Sequence, residues 1–397
     1  MAARFLSIVS SEMISVAVGW QIYGLTHRPL DLGLAGLAQF APGILLFLVA
    51  GHTADRHSRG AILRICNTAF AVCALIMLAF SVSRVSSTWP IYAVLLANGT
   101  VRAFLGPASQ AFLPQLVAPE HFPNAVTWSS SFFQIATILG PMAGGLIYGF
   151  SSSPAPVYGS AAVAYLIAVA LLSAIRVKMA ARQRLEQSAD VILEGLRYIW
   201  RRKLILGSMS LDLFAVLLGG AVALLPVYAS EILHTGPYGL GMLRAAPGFG
   251  AVLVAILLAH YPLHRKAGPK MLFCVLGFGV FTIVFGLSHS LVLSLIALML
   301  TGAFDMVSVI VRSTLVQLAT PDQMRGRVSS VNMLFIGASN EFGQFESGIT
   351  AQWLGAVPAV VLGGAGTIAV VLLWSWLFPS LRKVDRLAEH HQATLIP

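Results

Sequence analysis

Carboxylates and guanidinium groups stand singly inside long apolar tracts of this chain, where an ionisable side chain is expensive to keep and is a functional candidate by default. The acids are Glu12, Asp212, Asp305, Glu341 and Glu346, and the bases are Arg102, Arg244 and Arg312. Such an acid can take up a proton and release it where water reaches it. An arginine keeps its charge, so its part is to pair with an acid and hold it ionised until substrate or conformation separates the two. Glu12, Ser15, Gly19 and Tyr23 fall along one helical face, a polar stripe suited to a central cavity. Asp305, Ser308 and Arg312 share another face, but Asp305 and Arg312 lie two turns apart and meet only through other groups. Glu341 and Glu346 are five residues apart, about 140° around a helix, so they face different surroundings. For each of these groups the plainer alternative is an interhelical pair that locks packing. The sequence carries no nucleotide-binding P-loop and no zinc-binding H-E-x-x-H helix, and no Ser/His/Asp set falls at one depth, so enzymatic chemistry has no support.

Groups like these need helices that cross a membrane to position them. Of 397 residues, 57% are hydrophobic and only 10% charged, and the mean hydropathy is +0.82, far above soluble globular usage. A span needs about 20 apolar residues, and twelve are read at roughly 5–26, 33–54, 61–83, 89–112, 126–150, 157–177, 204–232, 239–261, 270–288, 290–318, 328–353 and 357–379. Each must be helical, because lipid offers backbone N–H and C=O groups no partner. The first run carries Glu12 and lacks a small-residue cleavage site, so it is expected to stay as the first span. The net charge of +10 is unevenly placed: with the N-terminus inside, the inner loops collect nearly all of the arginines and lysines, and the outer loops hold only Arg28 and Arg84. That asymmetry expects both termini in the cytoplasm and argues against a nucleic-acid partner. Cys66, Cys73 and Cys274 all lie in apolar runs without metal-ligand spacing and read as packing residues.

The chain divides near its middle. The longest polar interval separates six spans from six, giving an N-terminal half over 1–177, a cytoplasmic linker over 178–203, a C-terminal half over 204–379 and a cytoplasmic tail over 380–397. Within the linker Ile192, Leu196, Ile199 and Trp200 share one face, which predicts a short interfacial helix. Short strings recur at equivalent places in the halves. Gln115-Leu116-Val117-Ala118-Pro119-Glu120 reads like Gln317-Leu318-Ala319-Thr320-Pro321-Asp322, and Ala41-Pro42-Gly43 reads like Ala246-Pro247-Gly248. A duplicated six-helix unit leaves such traces, and two halves with a substrate site between them form a known secondary-transporter plan.

Two motifs carry a resemblance. Gly51-His52-Thr53-Ala54-Asp55-Arg56-His57-Ser58-Arg59 fits G-x-x-x-D-R-x-x-R and resembles the loop between helices 2 and 3 of the major facilitator superfamily of transporters. Thr53 and Ser58 stand where that pattern usually has leucine and glycine, and Gln110 stands where relatives often have arginine. Gly140-Pro141-Met142-Ala143-Gly144-Gly145 resembles the core of the antiporter signature of drug-proton exporters in that superfamily, with Ala136 replacing its opening glycine. Tracts such as Trp20-Gln21-Ile22-Tyr23-Gly24-Leu25-Thr26, Leu113-Pro114-Gln115-Leu116-Val117 and Ser339-Asn340-Glu341-Phe342-Gly343-Gln344 look like the enterobactin-exporter-like branch, across nearly the whole chain.

The resemblance implies an all-α membrane protein of twelve transmembrane helices in two pseudo-repeated halves. It implies a conformational latch at Gly51, Asp55, Arg56 and Arg59, with an aspartate capping a neighbouring helix and arginines tethering adjacent ends. Gly140, Pro141, Gly144 and Gly145 would let another helix approach closely and bend their own. Arg102, four residues before Gly106, resembles the basic residue of the superfamily's helix-4 motif, implicated there in proton coupling. Tyr23, Gln39, Phe133, Arg244 and Asn332 are candidates to line a substrate cavity. The expected activity is proton-driven export of a small organic molecule from a bacterial cytoplasm, with no cofactor, no metal, lipids around it and the monomer as working unit. Import or uniport on the same fold, lipid movement, and a receptor or scaffold without transport are the alternatives.

Overall fold

Apolar runs with no outside partner for their backbone groups close those bonds internally, and the computed structural model is helical wherever the hydropathy demanded it. It describes residues 1–175, 189–261 and 266–385, with the side chains of 47–48, 54–55, 119, 189–192 and 322 outside that description. Arg176, Lys178, Arg182, Arg184, Arg265 and Arg386, which count among the basic residues expected on the inner side, therefore lie outside the described residues.

In chain order the helices are α1 (Ala2–Thr26), α2 (Pro29–Leu45), α3 (Phe47–Arg56), α4 (Arg59–Val82), α5 (Trp89–Phe112), α6 (Phe122–Ser151), α7 (Ala155–Ala174) and α8 (Ala189–Arg201). They continue with α9 (Lys203–Gly219), the short α10 (Leu225–Val227), α11 (Gly236–His260), α12 (Ala267–Leu287), α13 (Leu291–Ala319), α14 (Asp322–Leu354), α15 (Ala356–Leu377) and α16 (Pro379–Arg382). Among the described residues, ten helical segments are long and apolar enough to cross a membrane. The other two expected positions hold α2 with α3, and α14, whose Ser, Asn, Gln and Glu residues lower its hydropathy. The chain is an all-α, multi-pass membrane protein.

Two expected continuous spans are broken. The run read at 33–54 divides at Leu46 into α2 and α3, just beyond Pro42, which lacks a backbone N–H, and Gly43, a poor helix former. The run read at 204–232 ends its α-helix at Gly219 and continues through a 3₁₀ turn at Ala221–Leu224, α10 and a π-helical turn at Tyr228–Ile232. Gly219-Gly220 and Pro226 sit at those changes of winding.

Contacts sort the chain into two units, one of Met1–Gln187 with Leu225–Ala245, the other of Ser188–Leu224 with Ala246–Pro397. In the first, α4, α5 and α7 close a core of Ile62, Leu63, Cys66, Ala108, Phe112, Ala168 and Leu172 beside Ala3 of α1. In the second, α9, α12, α13 and α15 bury Leu211, Met271, Val275, Val311, Leu315 and Val371 together.

The repeat seen in the strings reappears in the packing within each unit. A β-carbon placed at Gly99 of α5 would lie 2.1 Å from the Gln39 carbonyl oxygen of α2, just before Ala41-Pro42-Gly43. One placed at Gly302 of α13 would lie 2.0 Å from the Pro247 carbonyl oxygen of α11, inside Ala246-Pro247-Gly248. Likewise Gly144 of α6 abuts the backbone of Met13 in α1, and Gly343 of α14 abuts that of Val216 and Leu217 in α9. With lipid outside there is little hydrophobic drive between helices, so such close backbone approaches supply the dispersion energy that holds them.

The linker helix is α8. Leu193, Leu196 and Trp200 are exposed along it, in keeping with an interfacial face, but Ile199 is fully buried with Ile205, Met209, Val328 and Val331. Ile199 thus belongs to the packed core and not to the interfacial face expected for it, because Gly195 lets α8 sit directly on the backbone at Arg327. Glu194 pairs with Arg327 at the same contact.

Candidate functional site

The polar stripe of α1 is the centre of the first unit's site. Glu12 sits where α6 crosses α1, and Gly140 makes room for it: a β-carbon at Gly140 would lie 2.5 Å from that of Glu12. One turn on, a β-carbon at Gly144 would lie 2.9 Å from both the Cα and the carbonyl oxygen of Met13. The Gly-Pro-x-x-Gly-Gly tract therefore works as a seat for the helix that carries the acid. Gly145 turns the other way, towards the backbone of Pro237 and Gly241 at the start of α11. Pro141 and Ala136 are buried in the same helix.

Arg244 on α11 and Arg102 on α5 lie within electrostatic reach of Glu12. Arg244 donates a hydrogen bond to the Ser15 hydroxyl, one turn along the same face of α1. Tyr165 of α7 faces the same group, with Ser11 within hydrogen-bonding reach and its ring stacked on Phe70 at 5.3 Å. Near the far end of the stripe the Tyr23 hydroxyl donates to the Glu231 carboxylate, and the ring meets His27 edge-on at 5.7 Å. Gln21, on another face of α1, accepts from Tyr158 at 2.6 Å. A carboxyl within electrostatic reach of two guanidinium groups, with hydroxyls at hand, can exchange their attraction for a proton as the helices that carry those cations move.

The sequence named Glu12, Ser15, Tyr23, Arg102 and Arg244, and the fold brings Glu12, Ser15, Arg102 and Arg244 together. Tyr165, Ser11 and Glu231 were not singled out. The signal for the first was present: Tyr158 and Tyr165 are seven residues apart on one face of α7, and both are buried. Glu231 carried no signal, since it lies 208 residues from the tyrosine that binds it.

The loop motif is only partly described. Gly51 is buried and Arg56 exposed, while the Asp55 side chain lies outside the described residues. The Arg59 guanidinium donates to the Ala111 carbonyl oxygen, near the end of α5, at 2.7 Å. Ser58, the departure from the usual glycine, caps α4 by accepting from the Ala61 N–H at 3.3 Å. Of the cavity candidates, Gln39 is half-buried and lends its backbone to the Gly99 contact, Phe133 is exposed, and Asn332 is half-buried on α14.

In the second unit Arg312 of α13 forms an ion pair with Asp212 of α9, both buried. A small pocket beside them is lined by Asp212, Ala215, Val216, Val275, Phe278, Asp305 and Ser308. Asp305 and Arg312 do not pair with each other. Glu341 accepts from Gln344 at 3.2 Å and Glu346 from Thr350 at 2.7 Å, each bond lying within α14 itself.

A multi-pass helical protein with ionisable groups seated at its glycine-lined helix crossings has the build of a membrane transporter. The family model of the Major Facilitator Superfamily matches residues 1–343, and the chain belongs to that superfamily. The chain is similar to the enterobactin exporter EntS of Citrobacter koseri, 26% identical over 381 residues that cover 96% of this chain and 91% of that one. It is similar to the EntS of Shigella boydii at the same 26% identity over 366 residues, 92% and 84% of the two chains. Among solved structures, the nucleoside transporter NupG superposes with a TM-score of 0.71 at 15% identity, covering 95% of this chain and 97% of that one. The xylose transporter XylE of E. coli, in its inward open conformation, gives 0.69 at 12% identity with 98% of each chain covered. At such identities those structures speak for the fold alone.

Proposed function

We propose that this transporter exports a small organic molecule, of siderophore-like or drug-like class, across the bacterial inner membrane by alternating access, in exchange for protons. Both termini lie in the cytoplasm, the monomer is the working unit, and no cofactor is needed beyond the proton gradient. The observation that carries the reading is the seating of Glu12 against Gly140, with Arg102 and Arg244 in electrostatic reach. An acid held there can trade its cations for a proton when substrate or helix movement draws them away. Similarity to exporters of enterobactin over 96% of the chain supports the direction and the cargo class. The fold by itself selects neither, since proteins of the same fold include a nucleoside transporter and a xylose transporter.

The test uses purified protein in proteoliposomes loaded with a pH-sensitive dye. Addition of enterobactin is expected to drive proton movement against it, and Glu12→Gln to move cargo without protons or not at all. Full coupling in Glu12→Gln would remove the acid from its role, and cargo movement without proton movement in the wild type would make the protein a uniporter.

A further inference from the structure

The pocket of the second unit contains a carboxyl that no described residue hydrogen-bonds or pairs with. Three helices build it: α9 contributes Asp212, Ala215 and Val216, α12 contributes Val275 and Phe278, and α13 contributes Asp305 and Ser308. Its free space is about 10 Å³, the scale of a single water. Of the titratable groups on these helices, only Asp212 and Asp305 line it, while Cys274 and Lys270 of α12 do not. Arg312, a turn beyond Ser308, is the nearby cation and is already paired with Asp212. Among the described residues Asp305 makes no hydrogen bond or ion pair, and neither does the hydroxyl of Ser308, a residue only 3% exposed.

Two carboxylates thus face one space, and the nearby guanidinium is taken by one of them, Asp212. Arg312 cannot give up its proton, and its charge is engaged by Asp212. Asp305 is left with a charge that the pocket does not balance. An unpaired carboxylate in such surroundings is costly, whereas the neutral acid is a donor that Ser308 or one water can accept from. A metal ion fits the space less well: four of the seven lining side chains are hydrocarbon, and no group of three or more His, Cys, Asp or Glu is placed to hold one among the described residues.

We propose that Asp305 is a second proton-binding carboxyl, in a pocket whose fixed counter-charge is the Asp212–Arg312 pair. A hydronium ion from the wetted side transfers its proton to the Asp305 carboxylate, leaving water and a neutral carboxyl. The reverse transfer to water on the other side restores the carboxylate. This deepens the proton-exchange reading and rests on it for the role in transport, but protonation of the site can be read with no cargo present.

The experiment is infrared difference spectroscopy of the full chain in lipid nanodiscs, titrated over pH. The carbonyl band of a protonated carboxyl is expected in the wild type, lost in Asp305→Asn and restored in Asp305→Glu. In Ser308→Ala the band is expected to persist at a shifted frequency, which keeps the proposal open to refutation should Asp305→Asn fail to fold. A band unchanged in Asp305→Asn, or unmoved in Ser308→Ala, overturns the proposal. So does a band abolished by sodium chloride but not by choline chloride at equal ionic strength, which would make the ligand a sodium ion. If the band behaves as expected while enterobactin drives no proton movement, the pocket stands and the exporter reading falls.

Discussion

Substitution of Gly144 by alanine isolates what the glycines of α6 do. The added methyl carbon would lie 2.9 Å from the Cα and carbonyl oxygen of Met13, and ordinary contact begins near 3.4 Å, so α1 and α6 must part by about 0.5 Å. Both obstacles are backbone atoms in the middle of a helix, and no side chain can swing aside to relieve them. Overpacking of this kind costs about 1–3 kcal/mol. The control is Gly106→Ala in α5, where nothing lies within 4 Å of the new carbon. There the better helix former is expected to stabilise by up to about 1 kcal/mol. The assay is thermal unfolding followed with a thiol-reactive fluorophore, which suits this chain because Cys66, Cys73 and Cys274 are all free and buried. Gly144→Ala should melt clearly below the wild type and Gly106→Ala at or above it. If Gly144→Ala melts with the control, close approach is not what the tract provides, and the seating of Glu12 beside Gly140 loses its support.

Three further outcomes can be checked on the same material. Arg312→Ala strands a buried Asp212 and should cost roughly 3–5 kcal/mol, whereas Asp212→Asn combined with Arg312→Met should cost much less than the sum of its parts; additive losses in the melting assay would mean the two groups are independent. Glu194 and Arg327 are 50% and 34% exposed, so a double-mutant cycle between them should give about 1 kcal/mol or less and shrink in high salt; a coupling indifferent to salt contradicts that. Tyr23→Phe removes the bond to Glu231, and each kcal/mol lost is about a fivefold change in opening. Labelling of an introduced Ser230→Cys should therefore speed up in that background, and an unchanged rate would show that the bond does not hold the turn.

Helix positions were legible because hydropathy and helical period are local properties. The run at 89–112 and α5 coincide, as do 290–318 and α13 to within a residue at each end. The interruptions at Leu46 and Gly220 were harder to see, since Pro42 and Gly219-Gly220 only weaken a helix, and whether it then breaks depends on what packs against it. The stripe of Glu12, Ser15, Gly19 and Tyr23 could be read from spacing alone. Its partners could not: Arg244 is 229 residues from Ser15 and Glu231 is 208 from Tyr23.

By itself, then, the sequence determined a helical membrane protein, its duplicated pattern, its superfamily resemblance and a short register of acids and bases that lipid would not tolerate idle. Tertiary structure alone decided how those charges are shared. Arg312 is drawn to Asp212 across two helices and away from Asp305 on its own, and Gly140 gives Glu12 the space to lie at a helix crossing. The physical reason is that apolar helix surfaces are nearly interchangeable in composition. Where two of them meet is set by the shape of glycine notches and the reach of individual side chains, and those act between residues that the chain keeps far apart.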